Sequence, residues 1–113
     1  AEIQHLQSEQ ASRRQRIAAK LLVGFEYLAQ PTSYHLWLKL PAKFSSDSFC
    51  LALEKRGVIV SNATYFNALQ TDPCAAVRIS LMAPATDDEL IFALHIVVGL
   101  LREKGDEASR YST

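Results

Sequence analysis

The residue best equipped for chemistry is Arg78, set in the middle of Ala76-Val77-Arg78-Ile79-Ser80-Leu81. Val77, Ile79 and Leu81 point to one side of an extended segment, and Arg78 and Ser80 to the other. A guanidinium is always charged, and its planar fork matches a carboxylate in two parallel hydrogen bonds. An arginine in such a strand is either a solvated surface charge or a fixed anion-binding group, and the strand alone leaves both open.

Other reactive side chains offer less. His5, His35 and His95 lie far apart and have no metal-ligand spacing, so no metal is expected. Cys50 and Cys74 form no metal or redox motif, and Cys50, beside Phe49 and Leu51, reads as packing. Gly24, Gly57, Gly99 and Gly105 are isolated, which excludes a glycine-rich phosphate loop. Lys39 reads as a surface lysine whose stem lies along the sheet. No Ser-His-Asp or Cys-His arrangement is readable, so no catalytic residue is assigned to this chain.

The totals bound the function classes. The chain has 113 residues, the size of one small domain, and 49% hydrophobic content suffices for a core. Twelve basic residues balance twelve acidic ones, which argues against autonomous nucleic-acid binding. Arg13-Arg14-Gln15-Arg16 reads as a solvated helix face. No apolar run reaches the ~18 residues of a membrane span and no signal peptide is present, so a reduced cytoplasmic setting is expected. Asn62-Ala63-Thr64 matches a glycosylation acceptor by chance. The chain opens on Ala1 and enters a helix at once, the pattern of a piece cut from something larger.

The elements that must carry Arg78 follow in order. Residues 2–29 read as one long helix stopped by Pro31, with Ile17, Leu21, Leu22, Phe25 and Leu28 as its apolar stripe. Tyr34 to Leu40 alternates: Tyr34, Leu36, Leu38 and Leu40 face the core, and His35, Trp37 and Lys39 face away. Ser45-Ser46-Asp47 caps a second helix that ends at Gly57. Val58-Ile59-Val60 reads as a short buried strand, Ser61 to Phe66 as extended chain or loop, and Asn67 to Ala75 as loop. Thr86-Asp87-Asp88-Glu89 is a capping box opening the last helix, whose stripe runs through Leu90, Ile91, Leu94, Val97, Val98 and Leu101. A polar tail, 105–113, is expected to be flexible. The fold class is α+β: a small, mostly antiparallel sheet of three to four strands with helices on one face and a long N-terminal helix. The alternation then puts His35, Trp37, Lys39, Arg78 and Ser80 on the opposite face, which reads equally well as an interface or as an ordinary wet surface.

Tyr34-His35-Leu36-Trp37-Leu38-Lys39-Leu40-Pro41, then Arg56-Gly57-Val58-Ile59-Val60-Ser61 with Phe66, then Val77-Arg78-Ile79-Ser80-Leu81 and a capped helix, closely resemble the C-terminal small domain of fold-type I pyridoxal-phosphate aminotransferases. The wording of the first string resembles the MocR-type regulators of the GntR superfamily, in which a winged helix-turn-helix domain is fused to an aminotransferase-like domain. The resemblance covers nearly the whole chain and implies a small domain over 1–104, with 1–29 as a connecting helix. It implies that Arg78 binds the α-carboxylate of an amino-acid substrate or effector. Asn62, Tyr65, Trp37 and His35 become candidates for a secondary ligand or interdomain face. Asn62 and Ala63 stand where the family's Val-Ser-Pro-Gly-x-x-Phe turn has proline and glycine.

The resemblance further implies pyridoxal 5'-phosphate in the full-length protein, held by a large domain missing here and not covalently by this chain. It implies an amino-acid or amine ligand, a homodimer at full length, and DNA contact through an absent N-terminal domain. The alternative is the small domain of a genuine aminotransferase. A free-standing interaction or dimerisation module is the third reading.

Overall fold

The computed structural model describes residues 2–30, 33–41, 44–65 and 74–112, with side chains described within 8–102. Its elements are α1 (Glu2–Leu21), β1 (Tyr27–Leu28), β2 (His35–Lys39), α2 (Ser46–Lys55), β3 (Ser61–Tyr65), β4 (Cys74–Ser80) and α3 (Asp87–Ser112). Phe66 and the 67–73 part of the expected loop lie outside the described residues.

The four strands form one antiparallel sheet in the order β1-β2-β4-β3. Directly opposed residues share a face, so the register sorts the sheet into two sides. Tyr27, Leu38, Val77 and Asn62 stand in one row, and Leu28, Trp37, Arg78 and Ser61 in the next, on the other side. The first side is the core. Leu36, Leu38, Val77 and Leu81 are fully buried and cluster with Ala18 and Leu22 of α1, Phe49 and Leu53 of α2, and Leu90, Leu94 and Val97 of α3. Each such leucine withdrawn from water stabilises the fold by about 2 kcal/mol before entropy is counted.

Helix ends follow from local chemistry. Ser45 Oγ accepts from the Ser48 N–H at 3.1 Å, satisfying an otherwise orphaned donor of α2. Gly57, at φ 88°, provides the left-handed turn after that helix. At α3, Thr86 Oγ1 accepts from the Glu89 N–H at 3.1 Å. Glu89 Oε2 reaches back one residue further than a standard capping box, to the Ala85 N–H at 2.9 Å.

Three boundaries differ from the sequence reading. The expected helix over 2–29 ends at Leu21, because Gly24 turns the chain at φ 93° and Tyr27–Leu28 pairs with Leu38 and Trp37 as an edge strand. The expected strand Val58-Ile59-Val60 lies outside the sheet, and Ile59 is 73% exposed. The paired segment is the polar Ser61–Tyr65. Pairing with Tyr65 and Thr64 also brings Cys74 and Ala75, expected as loop, into β4. In addition, α3 carries helical backbone through 105–112, where a flexible tail is expected.

Candidate functional site

The helix-free face of the sheet assembles side chains from every strand. Across its middle, Arg78 stands between Trp37 on β2 and Ser61 on β3, with Leu28 beyond Trp37 on β1. His35 and Ser80 form the neighbouring row. The rings of His35 and Trp37 lie 6.4 Å apart at a tilt of 51°. Arg78 is exposed and takes no hydrogen-bond or ion-pair partner among the described residues. Its donors are therefore available to an incoming anion, while the cross-strand neighbours fix where its backbone sits.

Further along the same face the chemistry is already committed. Lys39 Nζ lies 3.6 Å from Glu26 Oε1 and 5.8 Å from the centre of the Tyr65 ring. Tyr65 is 4% exposed and shares the Arg78 side through its pairing with Cys74. Tyr65 thus packs under Lys39, two rows from the arginine.

Asn62 stands apart from the other candidates. Its register with Val77 turns it to the helix side. There Nδ2 donates to Asp47 Oδ1, and Oδ1 accepts from the Cys50 thiol at 2.9 Å. Partial burial, with the Asp47 carboxylate nearby, holds the Cys50 thiol above its ordinary pKa and keeps it protonated. The Asn62 amide ties β3 to α2, with its nitrogen donating and its oxygen accepting in that task.

Arg14 is the residue the sequence reading misplaced. It is 1% exposed, not part of a solvated face, and Gln15 beside it is 8% exposed. The Arg14 guanidinium donates to Leu81 O and Pro84 O at 2.8 Å each, and to Asp87 Oδ1 at 3.1 Å. Arg13 Nε donates to Asp87 Oδ2 at 2.8 Å. Held first by Arg13, against the cost of burial, and then by Arg14, the Asp87 carboxyl lies below its ordinary pKa. A signal was present in the sequence: Arg14 falls on the helical stripe of Ala11, Ala18 and Leu22, all buried.

Among the described residues no group of three metal-ligating side chains occurs, and no helix is long and apolar enough to cross a membrane. Residues 1–94 match the family described as aminotransferase class I and II.

The chain belongs to that family. This aminotransferase-family chain is 36% identical over 93 residues to the uncharacterised HTH-type transcriptional regulator YdeF of Bacillus subtilis (strain 168), a match covering 82% of the chain and 20% of that protein. It therefore spans about a fifth of that curated relative's length. Its fold is also that of a crystal structure of an archaeal alanine:glyoxylate aminotransferase, with a TM-score of 0.65 and 18% identity over 88% of this chain and 24% of the other. At that identity the likeness is one of fold. The architecture is that of an aminotransferase small domain, and the chain resembles the MocR-type regulators.

Full-length aminotransferase-family proteins use pyridoxal phosphate, whose covalent anchor is a lysine amine in an enclosed pocket. Lys20 and Lys55 are exposed on helices, and Lys39 is engaged by Glu26. These three do not fit that role, and no step through the cofactor is derived for this chain.

Proposed function

We propose that this chain is the small domain of a MocR-type regulator of the GntR superfamily, and that Arg78 holds the α-carboxylate of the amino acid it senses. In the full-length protein a large domain carries pyridoxal 5'-phosphate, whose aldehyde supplies amine capture, and a winged helix-turn-helix domain carries the DNA contacts. The protein works as a cytoplasmic homodimer. The ligand's amino end is held by the large domain and its carboxylate by Arg78. Trp37 and His35 border the carboxylate site on one side and Ser61 on the other. Lys39 and Tyr65 close the same face further off. An amine lacking the carboxylate forfeits the Arg78 contact.

The observation that carries the site is the exposed, unpartnered Arg78 between Trp37 and Ser61. The regulator reading is supported by the 36% identity to an HTH-type regulator. The family match itself favours a second reading, a genuine aminotransferase. In that case Arg78 orients the substrate carboxylate so that the α-proton faces the neighbouring domain's base.

The test uses the full-length protein. Arg78→Ala should weaken amino-acid binding by at least about 2 kcal/mol, since it strands a carboxylate without its charged partner. Cofactor binding should survive. Unchanged affinity in a titration of the cofactor's absorbance would remove Arg78 from the site. Amino-acid-dependent binding to the DNA upstream of its own gene supports the regulator, and turnover of amino acid with a keto acid supports the enzyme.

A further inference from the structure

Arg14 and Gln15 are the buried polar side chains among the described residues, and they are adjacent on α1. Between them they grip both central strands at one end. Gln15 Nε2 donates to Ser33 O at 2.9 Å and to His35 O at 3.4 Å, where β2 begins. Arg14 donates to Leu81 O and Pro84 O, where β4 has ended, and to Asp87 at the start of α3. The two strand ends are themselves joined by the Leu81 N–H donating to Tyr34 O at 2.8 Å. One turn of α1 thus fastens to the strands that carry His35, Trp37 and Arg78.

A buried charge is a poor device for stability alone, since its desolvation cancels much of what its partners return. Apolar residues on the same stripe, as at Ala11 and Ala18, would hold the helix against the sheet. What the guanidinium and amide add is direction. Each donor meets a particular carbonyl, and these bonds are lost if α1 slides or rotates against the sheet.

We propose that Arg14 and Gln15 form a latch that fixes the angle between α1 and the ligand-bearing sheet, so that carboxylate capture at Arg78 moves α1 and the sheet as one rigid lever. This rests on the reading of Arg78 as the carboxylate site. The ligand spans two domains in that reading. The latch therefore sets the reach from Arg78 to the group that holds the ligand's amino end. Arg14 and Gln15 are positioning residues and touch no ligand. A supporting group displaced by a fraction of an ångström is enough to loosen a site built this way.

The test compares an amino acid with the amine that lacks its carboxylate, titrated against the cofactor's absorbance in the full-length protein. Arg14→Lys keeps the charge but cannot span both carbonyls and Asp87 at once. It should fold, bind cofactor and bind the amine as wild type does, while its preference for the amino acid falls about tenfold. Arg14→Met should lose at least as much. If the arginine variants do not fold, Gln15→Ala removes two neutral bonds and should lower the preference about threefold. Folded variants with the wild-type preference would overturn the latch and leave Arg14 a purely structural residue. Equal losses for amino acid and amine would overturn it as well. Arg78→Ala separates the two levels: if it leaves the preference intact, the carboxylate assignment itself has failed.

Discussion

Arg14 and Arg78 are the same side chain put to opposite uses. Arg14 is 1% exposed with its guanidinium consumed by two carbonyls and a carboxylate. Arg78 stands exposed on the helix-free side of the sheet and takes no partner among the described residues. The difference lies in what surrounds each backbone position. Arg14 sits on a stripe of small residues, where α1 closes over the ends of β2 and β4 and leaves bare carbonyls to satisfy. Arg78 sits mid-strand, where the carbonyls are already spent in the sheet ladder. An arginine among unsatisfied carbonyls is a brace, and one among satisfied carbonyls keeps its donors free, as the proposed carboxylate contact requires.

The largest expected effect comes from the brace. Arg14→Met leaves Leu81 O and Pro84 O without their side-chain donor and Asp87 with Arg13 alone, and should destabilise the protein by about 4 kcal/mol. Arg78→Ala should stay within about 0.5 kcal/mol of wild type in the same thermal unfolding measurement. Equal losses would erase the contrast. The next effect separates the two faces of β2. Leu38→Ala empties a fully buried site and should cost about 3 kcal/mol, whereas half-buried His35→Ala on the other face should cost under about 1 kcal/mol. A large loss at His35 would mean that face is a second core. Smaller still, Ser45→Ala removes the α2 cap and should cost about 1 kcal/mol by the same measurement.

Acid supplies the finest probe. Because the folded-state pKa of Asp87 is lowered, its contribution is complete above the ordinary carboxyl value of 3.8 and is lost as pH falls through the lowered folded value. Asp87→Asn should therefore flatten the fall in stability over that acid window and leave its shape near neutrality unchanged. A stability–pH curve identical to wild type would show that the Arg13–Asp87 pair contributes nothing in solution.

The strands flanking the site were legible because their alternation is strict: Leu36 and Leu38 against His35 and Trp37, Val77 and Ile79 against Arg78 and Ser80. The caps at Ser45 and Thr86 and the turn at Gly57 were legible because each is local chemistry. What was not legible depends on partners far along the chain. The two-residue strand at Tyr27 exists through its pairing with Leu38 and Trp37, and good helix formers around it point the other way. Val58-Ile59-Val60 has a strand's composition, but β4 pairs with the polar segment after it. The stripe of Ala11, Ala18 and Leu22 hints that Arg14 is buried, but the carbonyls of residues 81 and 84 that it meets there are set far along the chain. The Asn62 amide, taken by Asp47 and Cys50, is likewise set by the register of β3.

The most direct test of the central claim is a structure of the full-length protein with an amino acid bound. The ligand's carboxylate should lie about 2.8 Å from the Arg78 guanidinium, between Trp37 and Ser61, with Arg14 still on Leu81 O and Pro84 O. A carboxylate held by other groups, with Arg78 in solvent, would contradict it.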